Sequence, residues 1–155
     1  MTVSYARSFK DLRVYQKARE VSRLVFKLSK TFPKEEMYSL TDQVRRAARS
    51  IGAQIGEAWG KRRYEKHFVS KLTDADAEQL ETQHWVGEAL DCGCISGAEA
   101  GQLNAHLEEI GRMLNAMMEK ADSFCGSPDG VLREPASEYF TASLGGDQSS
   151  VSSDQ

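Results

Sequence analysis

Few residues in this chain have the types and spacing to do chemistry. Glu81-Thr-Gln-His84 carries the Glu-x-x-His spacing that gives a di-iron site in a helical bundle one carboxylate and one imidazole. Such a site needs a second copy of the motif and two further Glu residues, all pointing inward. His67 and His106 have no Glu three residues before them. At about 100° per residue, Glu81 and His84 also fall opposite Phe68, Leu72 and Val86. Cys92-Gly-Cys94 offers two thiols without the second Cys/His pair of a zinc site, and suits packing at a helix end. No phosphate-binding loop, dinucleotide fingerprint or nucleophile elbow is present. These residues predict no enzyme, no metal and no cofactor.

Phosphate binding is the stronger signal. Lys61-Arg62-Arg63, Lys66, His67 and Lys71 place six basic or protonatable side chains within eleven residues. No groove-reading motif accompanies them, so they fit backbone phosphates rather than base edges. The formal net charge of −3 conceals a division of the chain. Residues 1–71 hold 17 of the 20 Lys and Arg against 7 Asp and Glu, whereas residues 72–155 hold 3 against 16. That polarity predicts a polyanionic partner for the first part, or contact between the two parts within or between copies. Contact between copies would be head-to-tail, and it closes into a ring when the rotation permits.

The elements that must position these groups follow from composition and periodicity. A chain of 155 residues suits one domain, and 40% apolar with 28% charged residues and 3 Pro excludes collagen-like and wholly disordered chains. No apolar run is long enough to span a membrane. Three cysteines and the absence of a secretory leader predict a reducing cytoplasm. Four helical stripes are legible. The first is Val14, Ala18, Val21, Val25, Leu28 and Phe32, opened by a Ser8–Asp11 capping box and stopped by Pro33. A second capping box at Ser39–Asp42 opens Leu40, Val44, Ala47, Ile51, Ile55 and Ala58, ending at Gly60. The third stripe is Phe68, Leu72, Ala75, Gln79, Thr82, Val86 and Leu90, ending at Gly93. Ser96–Glu99 opens the fourth, Leu103, Leu107, Ile110, Leu114, Met117, Ala121 and Phe124. Short connections between such helices predict an all-α, antiparallel up-down-up-down four-helix bundle over residues 8–124. Residues 125–155, rich in Ser, Gly and Asp, are expected to form a flexible tail.

The outer faces then carry the binding chemistry. Arg19, Arg23, Lys27 and Lys30 lie opposite the core stripe of the first helix, with Phe26 and Leu12 on the back half and Tyr15 at its edge. Cations interleaved with aromatics fit phosphate contact with base stacking, or a subunit interface. On the second helix Arg45, Arg46 and Arg49 share the back face with Gly52, Ala53 and Gly56. A mid-helix Gly costs roughly 0.5–1 kcal/mol relative to Ala, so small residues there predict the close approach of another surface. A neighbouring copy touching Phe26, Gly52, Ala53 and Gly56 would supply one, as would a nucleic-acid backbone. Asp74, Asp76, Glu78, Glu81, Glu88 and Asp91 cover the third helix, and Glu99, Glu108, Glu109 and Glu119 continue on the fourth. Buried Gln79 and Thr82 are expected as hydrogen-bond partners between helices.

Phe9-Lys-Asp-Leu-Arg-Val-Tyr-Gln-Lys-Ala18, Leu40-Thr-Asp-Gln-Val-Arg-Arg-Ala-Ala-Arg-Ser-Ile51, Ile55-Gly-Glu-Ala-Trp-Gly60 and Glu78-Gln-Leu-Glu-Thr82, in that order, resemble a known four-helix-bundle family. It includes proteins encoded in intervening sequences of bacterial large-subunit rRNA genes and is similar to the accessory variability determinants of diversity-generating retroelements. The resemblance covers about residues 8–124. It implies a homopentameric ring, nucleic-acid binding in some members, and no catalytic residues. Members often carry Asn-Ile-Ala-Glu-Gly where this chain has Gln54-Ile-Gly-Glu-Ala58. The functional expectation is non-catalytic binding of RNA or other structured nucleic acid. Arg45, Arg46, Arg49, Lys61, Arg62, Arg63, Lys66 and Lys71 would be the main contacts, and Arg19, Arg23 and Lys27 secondary ones. The alternative is an oligomerisation module or protein-partner adaptor whose basic and acidic faces pair between copies.

Overall fold

A computed structural model describes residues 6–126, so the expected tail lies, from residue 127 on, outside the described residues. Four long helices form: α1 Arg13–Ser29, α2 Asp42–Gly60, α3 Glu65–Asp91 and α4 Gly97–Glu119, followed by the short α5 Ala121–Phe124. Their relative directions can be read from side chains that meet. Between α1 and α4, Lys17 Nζ lies 2.8 Å from Glu109 and Glu20 lies 3.8 Å from His106, so one number rises as the other falls. The ring of Tyr15 faces Gly52, while Arg45 Nε donates to Ser29 Oγ at 2.7 Å. Thr73 meets Met118, and Gln79 meets Gly111. With α2 and α3 joined by residues 61–64, each helix runs antiparallel to its neighbours in the expected up-down-up-down order.

The core is built from the expected stripes. Val14, Ala18, Val21 and Val25 of α1, Val44, Ile51, Ile55 and Ala58 of α2, Phe68, Leu72 and Val86 of α3, and Leu103, Leu107, Ile110, Leu114 and Met117 of α4 are all buried. Phe68 stacks on Phe124 with ring centroids 5.8 Å apart, which docks α5 onto α3. Ser96 caps α4 as predicted: its hydroxyl accepts from the Glu99 amide, and the Glu99 carboxylate accepts from the Ser96 amide. The bond from the Ser96 amide leads in holding the Glu99 carboxyl below the usual range, and the Ser96 side chain adds to it.

Several local expectations are corrected. Ser8 and Asp11 do form a capping box, but it closes a 3-10 turn, Phe9–Asp11. Leu12 then sits in extended backbone before α1, which turns it into the core at 1% exposure instead of onto the back of a helix. The predicted Ser39–Asp42 capping box is absent. A 3-10 turn, Lys34–Glu36, runs into a π turn, Met37–Thr41, so the chain is already wound when it reaches Asp42. The long third helix drifts relative to a strict stripe, burying Ala89 and leaving Leu90 41% exposed. The helix bearing the fourth stripe is interrupted at Lys120 between α4 and α5, while its stripe stays buried through Ala121 and Phe124. Gln79 and Thr82 are buried but bond within α3: Gln79 donates to Asp76 and accepts from Gln83, and Thr82 donates to the Glu78 carbonyl.

Gly111 explains how a buried amide fits between α3 and α4. A Cβ built there would stand 2.9 Å from Gln79 Nε2 and 3.4 Å from Asp76 Oδ1, whereas one at Gly56 would meet Phe9 at an ordinary 3.5 Å. Gly56→Ala is therefore expected to raise stability by about 0.5–1 kcal/mol through helix propensity. Gly111→Ala is expected to lose about 1–3 kcal/mol through overpacking. Urea melts of both variants check this, and adding Gln79→Ala to the second should recover part of the loss.

Candidate nucleic-acid interface

The structure divides the predicted cationic residues between the two ends of α2. Arg45 and Arg62 are 17 positions apart, which at 1.5 Å per residue places the two groups about 25 Å from each other.

At the first end, α1 and α2 pack side by side and surround Phe26, which is 40% exposed. Lys30 Nζ lies 4.8 Å from the ring centroid, with the guanidinium carbons of Arg45 and Arg49 at 5.0 and 5.6 Å. The ring's negative face lets three cations share a small area. Arg45 is further fixed by its bond to Ser29 Oγ. Phe26 thus acts as a template that gathers cations, and not as an open stacking platform. Arg19, Arg23 and Lys27 continue along the exposed side of α1 and make no ion pair among the described residues. Arg46 is exposed and lies 3.8 Å from Asp42 of its own helix, a weak surface pair.

At the second end lies the α2–α3 turn. The Arg62 guanidinium stacks 3.3 Å above the Trp59 ring, and its Nε donates to the Trp59 carbonyl at 2.7 Å. Trp59 is partly buried against the core, so Arg62 is held in place. Lys61, Arg63 and Lys66 are exposed without a carboxylate partner among the described residues. Tyr64, 60% exposed, tilts against His67 with centroids 5.4 Å apart. This end therefore offers exposed cations, one fixed Arg and an available aromatic face.

Lys71 is a different case. Its Nζ lies 2.9 Å from Glu57 and 3.4 Å from Asp74, and it donates to Gln54 Oε1 at 3.3 Å. The hydrogen bond it donates to Glu57 leads in holding its pKa above the usual lysine value, with the charges of Glu57 and Asp74 adding and desolvation opposing. It serves as a tie between α2 and α3, already neutralised. The small residues of α2 also find their neighbour inside the chain. Gly52 lies beneath Tyr15, where an added Cβ would stand 3.4 Å from Cε2, and Gly56 beneath Phe9, the two rings meeting edge to face at 4.8 Å. The close approach implied by Gly52 and Gly56 is thus made within the chain, by Tyr15 in the first turn of α1 and Phe9 ahead of it, while Ala53 is exposed.

The opposite side is acidic. Glu81 and His84 are exposed on α3, where Glu81 accepts from Trp85 Nε1 at 3.2 Å and His84 packs edge-on to Trp85. Among the described residues, no three His, Cys, Asp or Glu side chains converge as a metal site requires. The three cysteines are unpaired, and burial pushes the Cys125 thiol up to about 11 and that of Cys94 upward as well. Glu109 is held below the usual carboxyl range chiefly by the bond from Lys17, an ion pair that ties the basic first part of the chain to the acidic second. Among the described residues no helix is long and apolar enough to cross a membrane.

Fold and surface together define a small all-α bundle protein with cations gathered on one pair of helices and carboxylates on the other. The chain belongs to the 23S rRNA-intervening sequence protein family, whose model matches residues 10–116. Among solved structures it is similar to a protein of unknown function from the S23 ribosomal protein family of Bacteroides thetaiotaomicron VPI-5482. The two are 25% identical with a TM-score of 0.62, over 68% of this chain and 98% of that one. A search of curated proteins finds no match.

Proposed function

We propose that this chain is a non-catalytic nucleic-acid-binding protein of the cytoplasm that holds RNA by its phosphates. The observation that carries the reading is the set of exposed cations lacking carboxylate partners among the described residues: Lys61, Arg63 and Lys66 at the turn, Arg19, Arg23 and Lys27 along α1. A protein whose basic and acidic parts served only to neutralise each other would pair them internally, yet among the described residues only Lys17–Glu109 and Lys71–Asp74 join a cation of residues 1–71 to a carboxylate of residues 72–155. Around Phe26 and Trp59 the cations are organised, which lowers the entropy lost when a phosphate binds. Family membership agrees in kind, since the family description names 23S rRNA.

The assembly proposed for it is a homopentameric ring. Exposed Leu80 stands among carboxylates on α3, and exposed Phe26 stands among cations on α1 and α2, so the two faces are complementary between copies. Titration of a labelled RNA with salt tests the binding. If about five phosphates are neutralised, log affinity falls against log salt with a slope of roughly −3.5 to −4.5. An affinity indifferent to salt overturns the reading. Sedimentation of the free chain tests the ring, which a monomer at all concentrations would exclude.

A further inference from the structure

The chain leaves the bundle beside its most open cations. Phe124 is buried against Phe68, the Cys125 amide donates to the Ala121 carbonyl, and the Gly126 amide donates to the Arg62 carbonyl at 3.3 Å. The last described residue, Gly126, is thereby held at the α2–α3 turn. Residues 127–155 carry Asp129, Glu134, Glu138, Asp147 and Asp154 against one cation, Arg133. They also lie beyond the 10–116 span matched by the family model, so they are an addition to the shared bundle.

We propose that the acidic segment 127–155 docks on the α2–α3 turn, pairing its carboxylates with Lys61, Arg63 and Lys66, and competes there with nucleic acid. The docking stands on the tether and the charges; the competition rests on the function proposed above. Asp129 follows Gly126 by three residues, within about 10 Å of extended chain. A flexible chain as long as residues 127–155 would have an r.m.s. span of about 30 Å, enough for the later carboxylates to come within range of the turn. Each exposed pair contributes little, but a tether holds the carboxylates near the cations at an effective concentration on the order of millimolar. The segment is therefore a weak, salt-sensitive competitor. It lowers affinity several-fold without abolishing binding, and it sets a threshold that short or sparsely charged ligands do not pass.

The test uses the full chain and a fluorescein-labelled RNA of about 20 nucleotides. One variant carries Asp129→Asn, Glu134→Gln, Glu138→Gln and Asp147→Asn; a control of equal charge carries Glu88→Gln, Asp91→Asn, Glu108→Gln and Glu119→Gln on α3 and α4. The first should bind RNA about 5–10-fold more tightly at roughly 0.1 M salt, with the gain vanishing near 1 M, and the control should change affinity less than about 2-fold. Independently of RNA, carbodiimide should join Lys61 or Lys66 to Asp129, Glu134 or Glu138 within one chain at low salt, as read by peptide mass spectrometry. Equal gains in both variants overturn the competition, and absent or purely intermolecular cross-links overturn the docking. Cross-links without RNA binding by any variant leave the docking standing and overturn the functional reading instead.

Discussion

Replacing Lys61, Arg63 and Lys66 together by Glu lowers RNA affinity by at least about 100-fold at roughly 0.1 M salt, while the melting temperature moves by no more than about 2 °C. The size follows from losing three charge-assisted contacts to phosphate, each worth on the order of 1 kcal/mol or more, with repulsion added. The small thermal effect follows from exposure: none of the three pairs with a carboxylate among the described residues, so the folded bundle loses little. Arg62 is left out deliberately, because its stacking on Trp59 would mix a packing change with a charge change. Fluorescence anisotropy with a labelled RNA measures the affinity, and the salt slope should become shallower by about 3. A parallel variant, Arg23→Glu with Lys27→Glu and Arg49→Glu, reports on the other end of α2. Loss in both means that RNA spans the two groups about 25 Å apart, and loss in the first alone confines the contact to the turn. Unchanged affinity in both variants would defeat RNA binding through these faces, and if an assembly falls apart at the same time, the adaptor reading takes its place.

Phe68→Ala destabilises the chain by about 3–5 kcal/mol, the largest loss expected from a single core truncation here. Phe68 is 1% exposed and stacks on Phe124, so the cavity opens where α3, the end of α4 and α5 converge, and neighbouring helices cannot close it without moving. Since domains of this kind hold only about 5–15 kcal/mol in total, the variant should melt roughly 10–20 °C lower. Leu90→Ala is the matched control. Leu90 belongs to the same periodic stripe in the sequence, yet it is exposed, and its truncation should stay within about 0.5 kcal/mol. Calorimetry of the two variants decides the point; equal losses would mean that α3 is wound differently from the structure described above.

The bundle was legible because 3.6-residue periodicity is a global property of each helix and survives local irregularity. Val14 to Val25, Ile51 to Ala58 and Leu103 to Met117 could be placed inside from spacing alone. What spacing did not reveal was local winding. Leu12 looked like a back-face residue only if α1 began four residues too early, and Ser39 looked like a cap because the π turn before Asp42 has no distinctive composition. The candidate site was legible as a list and not as a layout. Sequence proximity joined Lys71 to the basic turn, but one helical turn of α3 carries it between Glu57 and Asp74. The grouping of Lys30, Arg45 and Arg49 around Phe26 depends on two helices meeting, which no single stretch of sequence contains. Gly52 and Gly56 announced a close neighbour correctly in kind, and the neighbours are Tyr15 and Phe9 of the same chain.

The seat of Gln79 against Gly111 has a consequence for how such a chain can change over evolutionary time. Adding a methyl group at 111 collides with the amide, and removing the amide leaves Gln83 without its acceptor and a void beside the glycine. Each single step is unfavourable while the double step removes the collision and fills part of the void, so the two positions are epistatic. Drift at one should be visible only in lineages that have also drifted at the other, which ties the register of α3 on α4 to a correlated pair of residues lying outside both cationic groups.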